Sequence, residues 1–134
     1  MPVFKSDSLP IQTQNDVVVA RQTVRMLASQ IGLSLVDQTK IVTAASELAR
    51  NTLDYGGGGT MRLEHLEEGI RKGLRLTFED KGPGIADIEQ ALRDGYTSGR
   101  GMGMGLGGSK RLSNEFEIVS KVGEGTRITI ARWK

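Results

Sequence analysis

Apolar residues first settle into helical registers. Val17, Ala20, Val24, Leu27, Ala28 and Ile31 recur every three or four positions, which is the spacing of one helix face. Asn15 and Asp16 can cap this helix, and Gly32 stops it. Ser34-Leu-Val-Asp37 is a capping pattern for a second helix, running to about Asp54. Its expected apolar set is Val36, Ile41, Ala44, Ala45, Leu48 and Thr52. Before these helices, residues 1–14 read as an edge strand and turn, because Pro2 and Pro10 limit a hydrogen-bonded ladder. After them the period changes to two. Met61–Leu66 alternates as a strand, Glu67–Gly73 is a polar turn, and Leu74, Leu76 and Phe78 mark a second strand ending at Glu79-Asp80. Lys81-Gly-Pro-Gly84 breaks that strand. A short helix is expected over Asp87–Arg93 with Asp87 as its cap, then a glycine-rich loop, then a helix over Leu106–Leu112. Two further strands, Phe116–Val119 and Thr126–Ile130, are joined by Val122-Gly-Glu-Gly125 in a hairpin-type turn.

The order β, α, α, β, β, α, α, β, β pairs strands rather than alternating them with helices. It predicts an α+β two-layer sandwich, with one mixed, mostly antiparallel sheet and its helices on one face. With no repeat and no linker in sight, residues 1–134 are expected to form a single domain.

Composition narrows the chemistry. The chain has 134 residues, no cysteine and one histidine, His65, which excludes disulfides, Cys-ligated metals and multi-histidine sites. Aromatics are only 4%, too few for a base-stacking platform. Net charge is +2, and residues 97–134 hold 7 of the 18 basic but 3 of the 16 acidic residues. That excess suits an anionic ligand or acidic partner and is too weak to argue for nucleic acid. No apolar run approaches the roughly 20 residues that span a bilayer, and the start lacks the apolar segment of a leader. Neither nucleic acid nor membrane is therefore expected as a partner, and a cytoplasmic location is expected.

Three motifs carry chemistry. In Glu47-Leu-Ala-Arg-Asn51 the carboxylate and carboxamide are one helical turn apart on one face. The amide oxygen could ligate Mg²⁺ and the carboxylate could take a proton, although such a pair is equally at home on an ordinary solvent-facing helix. In Glu79-Asp80-Lys-Gly-Pro-Gly-Ile85 an acid ends a strand, and Gly82 and Gly84 would let backbone approach a flat ligand. Asp80 could accept from an exocyclic amine, or simply cap the turn. The third motif is Thr97-Ser-Gly-Arg-Gly-Met-Gly-Met-Gly-Leu-Gly-Gly108, with six glycines, and Gly95 just before it makes seven from Gly95 to Gly108. Backbone N–H groups without Cβ atoms leading into a helix form an anion cradle, and Met102, Met104 and Leu106 at alternate positions are apolar plugs for it. Gly103–Gly108 spells G-x-G-x-x-G but follows no strand, so the dinucleotide reading lacks its context, and Ser109-Lys110 reverses the Walker A order.

Taken in this order, the three motifs resemble the signature of the Bergerat-fold (GHKL) ATPases and kinases. Glu47-x-x-x-Asn51 is similar to the N box, Asp80–Ile85 to the G1 box, and Gly101–Leu106 to the G2 box or ATP lid. Thr126, after Gly123-Glu-Gly125, sits where the superfamily's late Gly-Thr lies near adenine. Ser46–Asn51, Glu79–Ile85, Lys110-Arg-Leu112 and Gly125-Thr-Arg-Ile-Thr with Trp133 are similar to the anti-sigma-type serine/threonine kinases, the RsbT-type switch kinases of the bacterial stressosome. The lid departs from that group's usual pattern at Arg100 and Met102-Gly-Met104.

The resemblance implies ATP and Mg²⁺ as cofactors. Asn51 is then the metal ligand, Asp80 the reader of the adenine amine, and Gly82, Gly84 and Ile85 the turn that admits the ring. Arg100, Gly101, Met102, Gly103, Met104, Gly105 and Leu106 cover the phosphates, Thr126 lies beside the base, and Glu47 is the catalytic residue that activates or orients the attacking hydroxyl. It also implies STAS-domain scaffold or antagonist proteins as phosphorylation substrates, and a downstream output protein such as a phosphatase as partner. The alternative is an ATP-binding regulatory module that binds partners without phosphotransfer.

Overall fold

The computed structural model describes residues 3–93 and 105–134. Strand β1 (Val3–Ile11) leads through Gln12 and Thr13 into helix α1 (Gln14–Gln30). The cap of α1 is Thr13, not Asn15 or Asp16. Its hydroxyl accepts from Asp16 N–H, and the Asp16 carboxylate returns to the Thr13 N–H, closing a capping box. At the other end Gly32 N–H bonds Ser29 O and Leu33 N–H bonds Ala28 O, a Schellman motif that satisfies the last carbonyls. Helix α2 (Leu35–Asp54) starts at Ser34, as its sequence predicts.

One expectation about α2 fails. Val36 is 64% exposed, while Gln38 is buried with its amide donating to Leu33 O. At 100° per residue Val36 falls on the face opposite Ile41, Val42, Ala45 and Leu48, beside exposed Thr43, whereas Gln38 is in phase with the buried set. A buried glutamine instead satisfies a carbonyl left free where α1 ends. Val42 and Ala49 join the expected Ile41, Ala44, Ala45 and Leu48 in the core.

Strands β2 (Gly59–Glu68) and β3 (Arg71–Asp80) are longer than their apolar runs, and the expected polar turn over 67–73 shrinks to Gly69-Ile70. Opposite charges extend the ladder, Glu67 facing Lys72 and Glu68 facing Arg71. Helix α3 (Ile88–Ala91) is capped by Asp87, followed by α4 (Gly105–Arg111), β4 (Glu115–Lys121) and β5 (Gly125–Trp133).

The sheet order is β1-β2-β3-β5-β4 and every pairing is antiparallel. The two-layer α+β arrangement stands as predicted, and the sheet is antiparallel throughout rather than mixed. Direct cross-strand partners share a face, so the register writes the inner face as rows. Met61, Phe78, Ile128 and Ile118 form one row; Leu63, Leu76, Ile130 and Phe116 form the next. Helices α1 and α2 bury these rows with Val17, Ala20, Val24, Ile41, Ala45 and Leu48. On the outer face the Trp133 ring covers Gly73, with the Arg71 guanidinium 4.4 Å from its centroid. No helix among the described residues is long and apolar enough to cross a membrane.

Candidate functional site

The apolar rows end in a polar one. Continuing the register by two residues brings Gly59, Asp80, Thr126 and Ser120 into line across β2, β3, β5 and β4. Gly59 contributes no side chain, and its missing Cβ is what allows the Glu79 carbonyl and the Thr52 methyl to close in. The C-terminal end of α2 therefore sits directly over Asp80.

The segment after Asp80 is tied down from three sides. Gly82 N–H donates to Asp80 Oδ1 at 2.9 Å. Tyr55, the last cap residue of α2, donates its hydroxyl to Gly84 O at 2.9 Å. Ser120 Oγ accepts from Ile85 N–H at 2.8 Å, and Gly123 N–H donates to Pro83 O at 2.8 Å. A Cβ on Gly82 would lie 2.8 Å from Gly56 Cα, and one on Gly84, where φ is +76°, would overlap the Lys121 carbonyl. The space vacated by these two glycines is filled by the protein's own backbone, from the Gly56 loop and the β4–β5 hairpin.

Asp80 is half-buried. Burial pushes its carboxyl above the usual range, and the backbone amides of Gly82 and Thr126 pull in the other direction. An ionised carboxylate offers acceptors only, so this end of the sheet selects N–H donors.

Glu47 and Asn51 lie on α2 as their spacing predicts. Glu47 is only 8% exposed, unusual for a glutamate and unlike a solvent-facing helix pair. Asn51 is half-buried, and its carbonyl accepts from Tyr55 and Gly56 N–H. It thereby starts the loop that closes on Asp80. Leu106 is buried and belongs to the core, so its side chain anchors α4. Gly105 opens that helix. Arg100, Gly101, Met102, Gly103 and Met104 lie outside the described residues. A shallow groove between α1 and α2, rimmed by Arg21, Arg50 and Asp54, stands apart from the polar row.

The structure thus brings together Asp80, Gly82, Gly84, Ile85 and Thr126, with the Asn51 end of α2 against them. The sequence reading passed over Tyr55, Gly56 and Ser120. Ser120 had a signal, since Phe116, Ile118 and Ser120 alternate on β4. Tyr55 had none, because its partner is 29 residues away.

Comparison with known proteins agrees with this fold. Residues 36–134 match the family described as histidine kinase-, DNA gyrase B- and HSP90-like ATPase. The chain is 46% identical over 123 residues to serine/threonine-protein kinase RsbT of Bacillus subtilis, covering 92% of each protein. It is 29% identical over 130 residues to anti-sigma F factor of Halalkalibacterium halodurans, covering 93% of this chain and 88% of that one. Among solved structures, the RsbU and RsbW domains of a Mycobacterium tuberculosis protein match with a TM-score of 0.64 at 21% identity; the match covers 96% of this chain, which spans 32% of the other. The catalytic domain of histidine kinase ThkA matches at 0.54 and 13% identity, over 96% and 95%. At such identities the structural likeness concerns the fold.

Proposed function

The chain belongs to the histidine kinase-, DNA gyrase B- and HSP90-like ATPases, and from that membership we propose that it transfers the γ-phosphate of ATP to a serine or threonine of a protein partner. The serine/threonine kinase activity follows from 46% identity to such a kinase over 92% of both chains. In this reading the phosphoacceptors are STAS-domain scaffold or antagonist proteins of a stressosome-type module. Phosphorylation releases the kinase to an output protein such as a phosphatase, all within the cytoplasm. Likeness to both a kinase and anti-sigma factors supports a protein, rather than a small molecule, as the second ligand.

One observation carries the nucleotide reading: a half-buried carboxylate, Asp80, follows the two apolar rows of the inner sheet face beneath the Asn51 end of α2. It suits the adenine amine and repels a carbonyl oxygen at that position. Thr126 stands beside it in the row, and the turn through Gly82, Gly84 and Ile85 forms the wall. Arg100 to Gly105 is assigned to the phosphates, with Leu106 contributing backbone only, since its side chain is in the core.

No cluster of three or more acidic or histidine ligands occurs among the described residues. Mg²⁺ needs none, because it keeps its waters and phosphate oxygens with one or two protein ligands. A half-buried amide at Asn51 fits that habit. When bound, the ion neutralises charge on the triphosphate. Glu47, one turn away and buried, takes or orients the proton of the incoming hydroxyl in this reading.

The anti-sigma factor relatives favour a second reading, a nucleotide-holding module that binds partners without transfer. A buried acid beside Asn51 speaks for the kinase, because ligand binding alone needs no base there. The test is incubation with γ-labelled ATP, Mg²⁺ and a STAS-domain protein encoded beside this chain, with the labelled residue mapped by mass spectrometry. Label on a serine or threonine of the partner is expected. ATP binding without any transfer would support the second reading.

A further inference from the structure

Ser120 lies at a three-way junction. Its Oγ is 2.8 Å from Ile85 N, 3.1 Å from Gly125 O and 2.7 Å from Thr126 Oγ1. A serine hydroxyl has one proton and two lone pairs. Ile85 N–H can only donate, so it occupies one lone pair. Gly125 O can only accept, so it takes the proton. The remaining lone pair is filled by the proton of Thr126. Thr126, buried on the inner face, then shows only lone pairs to its row neighbour Asp80. Asp80 itself offers acceptors only, and its Oδ1 already receives Gly82 N–H.

We propose that Ser120 is a positioning residue for base selection: by holding the proton of Thr126, it keeps the end of the sheet a purely accepting surface that admits a purine bearing an amine at position 6 and rejects one bearing a carbonyl there. The proposal rests on the nucleotide reading of the Asp80 turn and deepens it. Ser120 touches no nucleotide itself. Without its oxygen, the Thr126 hydroxyl is free to rotate and donate toward a carbonyl.

The test is calorimetric titration of the whole chain with Mg-ATP and Mg-ITP, which differ at that edge of the base. The parent protein is expected to favour ATP by about tenfold or more. Ser120→Ala should narrow the ATP/ITP ratio by about threefold or more, and Ser120→Thr, which keeps the hydroxyl, should preserve it. Thr126→Val removes the acceptor and should narrow the ratio too, with Ser120→Ala adding little in that background. A purely structural Ser120, acting through Ile85 N–H, would lower both affinities and leave the ratio unchanged. That result overturns the proposal while the nucleotide reading stands. A parent protein without preference for ATP over ITP overturns the adenine reading and the proposal with it. Should Ser120→Ala fail to fold, Thr126→Val carries the test, and an unchanged ratio there overturns it.

Discussion

In the proposed reading, three carboxylate and amide side chains divide the chemistry. Asp80 is raised above its ordinary value of 3.8 by burial, so it takes up a proton at a higher pH than a free aspartate. Its charged form is disfavoured by folding, which means Asp80 lowers stability at neutral pH, and this cost fades as pH falls through its folded value. Asp80→Asn should therefore leave neutral-pH stability unchanged or raised while weakening ATP about tenfold or more, the loss of a charge-assisted bond. In acid, ATP affinity of the parent should fall as Asp80 protonates, and that step should vanish from the Asp80→Asn titration. Glu47 and Asn51 separate by their proposed roles, proton transfer and metal binding. Asn51→Ala should lose Mg-ATP affinity and phosphotransfer together. Glu47→Gln should keep affinity within a few-fold and slow single-turnover transfer by about 10²–10⁴. Transfer at the parental rate would remove Glu47 from the chemistry.

The turn from Asp80 to Ile85 works as an element because its neighbours hold it. Gly84 combines a left-handed backbone, φ +76°, with the Lys121 carbonyl against its α-carbon. Gly123, on the facing hairpin, has φ +80° and open space around it. Alanine at either position incurs the left-handed cost of roughly 1–2 kcal/mol. Only Gly84→Ala must also push the β4–β5 hairpin away from Asp80. Urea unfolding should show the larger loss for Gly84→Ala, and only that variant should weaken ATP markedly. Equal behaviour of the two would mean the hairpin does not brace the turn.

Across the whole molecule, the end of the sheet opposite the polar row is held by Arg132. Its guanidinium donates to Asp37 Oδ1 at 2.7 Å and to Leu112 O at 3.2 Å. One side chain thus joins β5 to the first turn of α2 and to the residue that follows α4. The Arg132 hydrogen bond is the largest influence on Asp37 and holds its carboxyl below 3.8. A depressed carboxylate stabilises the fold above its unfolded value, and that contribution is lost as pH falls through the lower folded value. Asp37→Asn should be less stable than the parent at neutral pH, and the two unfolding free energies should converge as acid protonates Asp37. A gap that persists unchanged in acid would locate the loss outside the ion pair.

Local periodicity determined a great deal here. It set the two long helices, the strand that ends in Asp80, the cap at Ser34 and the antiparallel-rich α+β class. The three motifs, through their resemblance to the GHKL boxes, imply ATP as the ligand. This works because spacing of three to four, or of two, fixes which side chains share a face within one element. Other features were decided only by tertiary structure. Gln38 is tolerated in the core because the Leu33 carbonyl lies within reach of its amide. The β2–β3 turn shortened because the backbone ladder continues to Glu68 and Arg71. Gly82 and Gly84 proved to be glycines because Gly56 and Lys121 press on them. Ser120 entered the site because the β4–β5 register put it beside Thr126, and Tyr55 because its helix ends over Gly84. The glycine, Ser120 and Tyr55 placements depend on contacts between distant segments, whose register is set by packing of the whole sheet and leaves no trace in the spacing of either segment alone.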